Sequence, residues 1–256
     1  MAGWLGLCSR IFANATPARG ERREERKTAK RRDEIGIVPP DLWRVELGVK
    51  MNDYVWVSNA LAEVSLIGKL ETDIWVNDQP SAILAQKANE QGQPVAQEMC
   101  PRRVWGDDQA PFFEKLPDLI SAQAHWIVSA RAADILGQFD LGQGALYPIS
   151  EGVFQADNVT PVMGDYFTWN FGATKTGLVP DRSQGLRPAG ISGRVFKCPW
   201  KMSDECVCVS ANVTSDSDVW LDPALFQSLF LSRELGDALD NAKLRKAFRL
   251  YKALVI

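Results

Sequence analysis

The feature that most constrains the fold of this chain is a strand-to-helix step that occurs twice, each time with a serine at the junction. In the first step, the apolar run Trp126–Val128 has the length of a buried strand, and Ser129 follows it. In the second, Leu229–Leu231 is followed by Ser232, which lies 103 residues after the first serine. Serine is favoured at the N-cap, where its side chain accepts a hydrogen bond from the first helical turn. The pattern therefore predicts that each serine begins a helix.

The residues after each serine support a repeated unit, because apolar residues recur there at a spacing of three to four, the period of one helical face. They are Ala132, Ala133, Ile135, Leu136 and Phe139 in the first copy, and Leu235, Ala238 and Leu239 in the second. At the same offset, Asp134 matches Asp237, Leu136 matches Leu239 and Leu141 matches Leu244. An extended run follows each helix, at 145–147 and 248–254. We therefore hypothesise two copies of a strand–Ser-cap–helix–strand unit.

Other segments have the apolar and aromatic content that is typical of β-strands. They are Tyr54–Val57, Asp73–Val76, Tyr166–Phe171, Arg194–Phe196, Glu205–Val209 and Asp218–Leu221. The polar run Ala85–Gln97 predicts a loop, and Pro111–Ile120 predicts a short helix broken before Pro117. Together these elements predict an α+β fold with a mixed or antiparallel sheet and a few helices.

Charge is distributed unevenly along the chain. Residues 1–34 contain nine basic and five acidic residues, a local charge of +4 that leaves −7 on the rest, since the formal net charge is −3. Acidic residues interspersed among the basic ones favour a solvated tail over a nucleic-acid-binding arm. We therefore predict a basic, disordered extension over 1–36 and a single α+β domain over 37–256. The mildly acidic domain favours a basic partner protein and argues against nucleic acid.

The first residues and the cysteines bear on the cellular compartment. Met1–Ala13 is apolar but has no basic residue before its apolar part, so an extension is favoured over an export signal. The five cysteines are an odd number without the spacing of a disulfide framework. No apolar run approaches the roughly 18 residues that a membrane span requires. We therefore expect a cytoplasmic protein with reduced thiols and no membrane association.

A search for catalytic and metal-binding motifs returns few candidates. The single histidine, His125, excludes any site that needs two, such as HExxH. It could pair with Cys100 as a nucleophile and base, or join Cys198, Cys206 and Cys208 around zinc. The spacing C-x7-C-x-C lacks the paired CxxC turns of zinc sites and favours packing of small apolar side chains. No GxxxxGK[ST], GxGxxG or GxSxG motif occurs, so we expect no catalytic residue, metal or cofactor.

The segment Gly177–Gly193 is the predicted recognition surface. It is rich in glycine, proline and scattered charge, and long loops in compact domains are usually functional or disordered. Tryptophan and tyrosine are favoured anchors at protein interfaces. We predict that a partner contacts Trp169, Asp181, Arg182, Arg187, Arg194 and Trp200.

Three runs occur in an order that resembles a known family. They are WIVSARAADILGQFDLGQGALYPI at 126–149, YFTWNF at 166–171 and DVWLDPALFQSLFLSRELGDAL at 218–239. Over about residues 115–250, the chain resembles the bacterial immunity protein family numbered eleven, which was earlier catalogued as a domain of unknown function. In that family a strand ending in serine introduces a helix before a proline-containing strand, and a second serine-started helix lies near the C-terminus. The chain lacks the glycine that family members tend to carry after the last helix, and has 241–245 NAKLR instead.

The resemblance implies a function and supplies no catalytic residue. Such a protein binds and neutralises the cognate toxin of a bacterial polymorphic toxin or secretion system, whose gene is usually adjacent. We therefore predict a cytoplasmic toxin-binding protein without catalysis. The alternative is a small Cys/His hydrolase or modifying enzyme built on Cys100 and His125.

Overall fold

The computed structural model describes residues 53–123, 125–190 and 193–256. These residues form fourteen strands and four α-helices in an α+β fold, as the sequence predicts. The predicted extension over 1–36 and the predicted start of the domain at residue 37 lie outside the described residues.

The helices are short and separate groups of strands. In chain order they are α1 (Asp73–Asn77), α2 (Gln79–Glu90), α3 (Ala130–Leu136) and α4 (Arg233–Asn241). The strands are β1 (Tyr54–Ser58), β2 (Leu70–Thr72), β3 (Arg103–Gly106), β4 (Leu119–Ala122), β5 (His125–Ser129), β6 (Ala145–Pro148), β7 (Gly152–Phe154), β8 (Tyr166–Asn170), β9 (Arg187–Ala189), β10 (Val195–Lys197), β11 (Cys208–Val209), β12 (Val219–Leu221), β13 (Leu229–Leu231) and β14 (Leu250–Val255). Of the helices in the described residues, none has the length and apolar character needed to cross a membrane.

The two larger sheets share one arrangement of strands. One has the order β4-β5-β8-β6, and the other has the order β11-β14-β1-β13-β12. In both sheets, a serine-started helix follows one strand and precedes another. These two strands each pair antiparallel with a third strand that lies between them. Strand β8 separates β5 from β6, and β1 separates β13 from β14. A three-stranded sheet β2-β3-β7 and a hairpin of β9 and β10 complete the fold.

Both helices of this arrangement begin at a serine whose side chain caps the first turn. Ser129 Oγ accepts a hydrogen bond from Ala132 N at 3.4 Å. Ser232 Oγ accepts one from Leu235 N at 3.2 Å. A cap of this kind stabilises a helix by about 1 kcal/mol, because it satisfies a backbone donor that has no partner within the helix.

The main core forms where α3 and α4 pack with the two larger sheets. The apolar faces of both helices are buried there, with Ala132 and Leu136 on α3 and Leu235 and Leu239 on α4. Strands and loops contribute four large aromatic side chains to the same core: Trp56, Trp169, Phe171 and Phe248. Burial of each large apolar side chain contributes roughly 1.5–3 kcal/mol, so this cluster is a main source of stability.

Close contact between α4 and β1 depends on a glycine. A Cβ atom at Gly236 would lie 1.9 Å from Trp56 Cδ1, so no larger residue fits without movement. The next residue, Asp237, accepts hydrogen bonds from Trp56 Nε1 at 3.0 Å and from Tyr54 OH at 2.9 Å. The helix is therefore held against the central strand both by shape and by hydrogen bonds.

The predicted strand at Asp73–Val76 is wrong, because these residues belong to helix α1. Thr72 caps this helix, and its Oγ1 accepts a hydrogen bond from Trp75 N at 3.2 Å. The apolar residues Ile74 to Val76 therefore lie in one helical turn rather than in an extended strand.

The predicted loop at Ala85–Gln97 is wrong over its first half, which continues α2 to Glu90. Asp78 caps this helix by accepting a hydrogen bond from Ser81 N at 3.3 Å. The buried side chains of Ala82 and Ala85 then give α2 an inner face that its polar composition conceals.

The predicted short helix within Pro111–Ile120 is also wrong, because the described chain there is irregular until β4 begins. Phe113 N donates to Gln155 Oε1 at 3.0 Å, and Leu116 N donates to Tyr166 OH at 2.7 Å. Side chains distant in sequence thus satisfy backbone donors that a helix would have paired internally.

Candidate protein-binding surface

The segment that the sequence marks as a recognition surface carries the hairpin of β9 and β10. The two strands pair antiparallel, with Arg187 opposite Lys197. Phe196 N donates to Ala224 O at 2.8 Å, and Phe226 N donates to Phe196 O at 2.7 Å. The hairpin is therefore attached through its backbone to the chain segment after β12, which gives it a fixed position.

Trp200 lies beside this hairpin and is the most exposed large apolar side chain of the described residues, at 87%. The guanidinium carbon of Arg187 lies 3.7 Å from the centroid of its ring. Arg187 is itself held, because its Nε donates to Cys198 O at 2.9 Å. A cation over an aromatic face stabilises the pair by about 0.5–1 kcal/mol at exposed sites. The pair is thus partly ordered before any partner binds.

The other charged residues predicted for this surface are exposed on the same segment. Asp181 and Arg182 belong to a 3-10 turn at Pro180–Arg182, and Arg194 directly precedes β10. The turn is tied to the body, since Cys208 Sγ donates to Arg182 O at 3.1 Å. Positions 191 and 192 of the predicted loop lie outside the described residues.

Trp169 does not belong to this surface, and the prediction that it contacts a partner is wrong for a physical reason. Only 1% of the side chain is exposed. Its ring lies edge-on to Phe171 at 5.0 Å between centroids and is 5.8 Å from Phe248. Strand β8 is an interior strand of its sheet, and the alternation of side chains places this tryptophan on the face that packs in the main core.

The structure adds three residues that the sequence analysis missed. Lys197 Nζ lies 5.4 Å from the centroid of the Phe226 ring, and Phe226 is 47% exposed. Lys201 is exposed directly after Trp200. With Arg187, these residues form what we call the Trp200 surface, namely Arg187, Lys197, Trp200, Lys201 and Phe226. Phe226 is separated in sequence from the predicted loop, so only its contact with the hairpin identifies it.

The Trp200 surface itself has a charge opposite to that of the whole chain, since Arg187, Lys197 and Lys201 are basic and none of its five residues is acidic. Residues 177–203 include five basic residues and one acidic residue, Asp181. The sequence as a whole carries −3. The predicted preference for a basic partner was drawn from net charge, whereas the local charge favours an acidic one.

Cys100 and His125 are both buried. His125 Nε2 does not form the hydrogen bond to the Cys100 thiol that the base of a nucleophile–base pair would make. Cys100 Sγ accepts a hydrogen bond from Asn170 Nδ2 at 3.3 Å and donates to Ala96 O at 3.6 Å. His125 Nε2 is buried and has no hydrogen-bond partner among the described residues.

The environment of these two groups opposes ionisation of either one. Cys100 lines a cavity of about 400 Å³ that His125 does not line. Burial raises the pKa of the Cys100 thiol to about 11. Burial also lowers the pKa of the His125 imidazole to about 4. Since the thiolate is the reactive form of cysteine, this setting leaves Cys100 a weak nucleophile near neutral pH.

The three remaining described cysteines are buried free thiols with separate contacts. Their sulfur atoms lie 3.2 Å from Ser228 Oγ for Cys198, 3.8 Å from Met202 Sδ for Cys206 and 3.1 Å from Arg182 O for Cys208. Within the part of the chain that the structure describes, no three histidine, cysteine or acidic side chains are grouped so as to hold a metal ion.

Sequence comparison does not assign the chain to a family. No protein-family model matches it, and no curated protein matches it in sequence.

Proposed function

We propose that this chain is an immunity protein that binds the cognate toxin of a bacterial polymorphic toxin system in the cytoplasm. Neutralisation is by direct contact and requires no catalysis. The observation that carries the proposal is the exposed Trp200 ring held under the Arg187 guanidinium. The sequence resemblance to immunity family eleven points to the same class of function.

The size of the Trp200 side chain makes it a suitable interface anchor. A tryptophan buries about 150–250 Å². At about 25 cal/mol per Å² this gives roughly 4–6 kcal/mol of gross stabilisation before the costs of association. Because Arg187 already orders the ring, less side-chain entropy is lost on binding. A tight complex would bury about 1,600 Å² in total, so the contact extends beyond the Trp200 surface.

Local charge favours an acidic face on the toxin. Arg187, Lys197 and Lys201 all belong to the Trp200 surface, whereas Asp181 is the only acidic residue between 177 and 203. Complementary charge raises the association rate more than it raises affinity, and salt screens it. The association rate with the toxin should therefore fall as ionic strength rises.

The alternative of a Cys/His hydrolase receives less support from the geometry. Cys100 lies at a cavity and contacts Asn170 of β8, and β8 pairs with β5, the strand that carries His125. The thiol nevertheless remains protonated at neutral pH, because burial raises its pKa to about 11. Replacement of His125 with glutamine should abolish an enzymatic protection and leave protection by binding intact.

A growth assay tests the proposal. The chain is co-expressed with each toxin encoded beside its gene, and growth is compared for wild type, Trp200→Ala and Phe112→Ala. Phe112 is a matched control, since it is an exposed aromatic residue outside the Trp200 surface. Truncation of an interface hot spot costs at least about 2 kcal/mol, roughly a thirtyfold loss of affinity, so Trp200→Ala should weaken protection while the control retains it. The proposal fails if no adjacent toxin is neutralised or bound by the wild-type chain.

A further inference from the structure

A cavity of about 430 Å³ lies where the end of α2 meets the turn after β4 and the loop after β12. Its volume falls within the range of small-molecule sites, which is about 300–1,000 Å³. Its lining combines side-chain amides with aromatic rings, including Asn89, Gln123, Gln227, Trp126 and Phe171. It is a separate site from the cavity at Cys100.

Two of the amides are held in fixed orientations by hydrogen bonds to their oxygens. Asn89 is 4% exposed, and its Oδ1 accepts a hydrogen bond from Phe171 N at 2.5 Å. Gln123 Oε1 accepts hydrogen bonds from Thr72 N at 3.2 Å and Thr72 Oγ1 at 3.1 Å. No described residue accepts a hydrogen bond from Asn89 Nδ2 or Gln123 Nε2. Both NH₂ groups are therefore available to a ligand, and the Asn89 group is largely removed from bulk water.

Two glutamines of the lining have left-handed backbone conformations, which are uncommon for residues other than glycine. Gln123 has a φ of 50° and Gln227 has a φ of 53°. Such conformations are concentrated at ligand-binding sites and are maintained by the surrounding structure. Both glutamines line the same cavity.

The charge of the lining disfavours an anionic ligand. No lysine or arginine belongs to the lining among the residues that the structure describes, whereas Glu90 and Asp222 do. Asp222 is committed to the fold, since it accepts hydrogen bonds from the backbone of Gly177 and Leu178. Glu90 accepts one hydrogen bond, from Gln86 Nε2 at 2.9 Å, and keeps further acceptor capacity.

We propose that this cavity binds a neutral carbohydrate. Sugar hydroxyls can both donate and accept, as the lining requires: they accept from Asn89 Nδ2 and Gln123 Nε2 and donate to Glu90. The apolar face of a sugar ring packs against the partly exposed ring of Trp126. The four residues assigned to the sugar do not belong to the Trp200 surface, but Phe226 of that surface also lines the cavity, so the two sites adjoin. Sugar binding is measured on the chain without toxin, so its failure and the failure of the toxin-binding proposal remain distinguishable.

Isothermal titration calorimetry on the full chain tests the assignment, with cellobiose, maltose and N,N′-diacetylchitobiose as neutral probes. Glucose 6-phosphate serves as an anionic probe and uridine as a probe for nucleobases. Asn89→Asp keeps the acceptor for Phe171 N but removes the NH₂ donor, so it should weaken sugar binding by about tenfold. Lys87→Ala is the matched control, because Lys87 is exposed on the same helix and does not line the cavity.

Saturable binding of at least one disaccharide that Asn89→Asp weakens and Lys87→Ala preserves would support the assignment. Thermal unfolding of each variant checks that it folds. If Asn89→Asp does not fold, Gln86→Ala replaces it, because Gln86 Nε2 holds the Glu90 carboxylate in place and its loss lets Glu90 turn away from the sugar, which should also weaken binding. The assignment is overturned if no disaccharide binds, if the folded variants bind as tightly as wild type, or if only uridine or glucose 6-phosphate binds.

Discussion

Replacement of Gly236 with alanine should destabilise the protein, although the same change in an open helix stabilises it. Alanine is favoured over glycine within a helix by about 1 kcal/mol. At this position the new Cβ would lie 1.9 Å from Trp56 Cδ1, whereas ordinary contact begins at 3.4 Å, so the helix and the ring must separate by about 1.5 Å. Overpacking of a core costs about 1–3 kcal/mol, and the upper end applies because Trp56 is fully buried. We expect a net loss of about 2 kcal/mol, which lowers the Tm by about 4–8 °C in a chain of this size.

A double-mutant cycle separates the steric term from helix propensity. Urea unfolding is measured for wild type, Gly236→Ala, Trp56→Leu and the double variant. In the Trp56→Leu background the obstructing ring is absent, so Gly236→Ala should stabilise by up to about 1 kcal/mol, giving a coupling energy of about 3 kcal/mol. If Gly236→Ala stabilises the wild-type chain instead, α4 does not pack closely against Trp56 in the main core.

Three further predictions follow from single residues. Replacement of Ser129 or of Ser232 with alanine should lower the free energy of unfolding by about 1 kcal/mol, as measured in urea. If either replacement leaves the stability unchanged, that serine does not act as a cap. Burial lowers the pKa of the His125 imidazole from 6.5 to about 4. As the pH falls, the imidazole of the unfolded chain is therefore protonated at a higher pH than that of the folded chain. Stability should therefore be retained above pH 6.5 and decline towards pH 4, more steeply in wild type than in His125→Gln. Equal pH slopes in the two proteins would refute this linkage. Because burial raises the pKa of Cys100 and Cys208 to about 11, iodoacetamide should label them slowly in the folded protein and rapidly in urea, as followed by mass spectrometry. Rapid labelling of the folded protein would show that these thiols are exposed.

Errors in the secondary-structure predictions have identifiable physical origins. Thr72 and Asp78 are cap residues, but the apolar content of Asp73–Val76 favoured a strand and the polar content of α2 favoured a loop. In both cases side-chain composition outweighed a local capping signal that was present in the sequence. The segment before β4 differs, because its backbone donors bond to Gln155 and Tyr166, which no local pattern indicates.

The candidate interface was predictable only in part. Arg187 and Trp200 were identified from residue type and position in a glycine- and proline-rich segment, and the structure places them in contact. Trp169 was grouped with them by the same criteria, yet it lies in the core. Residue type alone does not distinguish an anchor from a core tryptophan, because both bury a large apolar ring.

By itself, the sequence determined the features that depend on neighbours within a few residues. A serine cap acts three residues ahead and a helical face repeats every three to four residues, so Ser129, Ser232 and the helices they start were predictable. Only the tertiary structure decided which strands pair across long separations. Strand β1 lies between β13 and β14, and Gly236 meets Trp56 across 180 residues of chain. Such contacts follow from the joint burial of apolar faces across the whole domain, and no local pattern specifies which faces will meet.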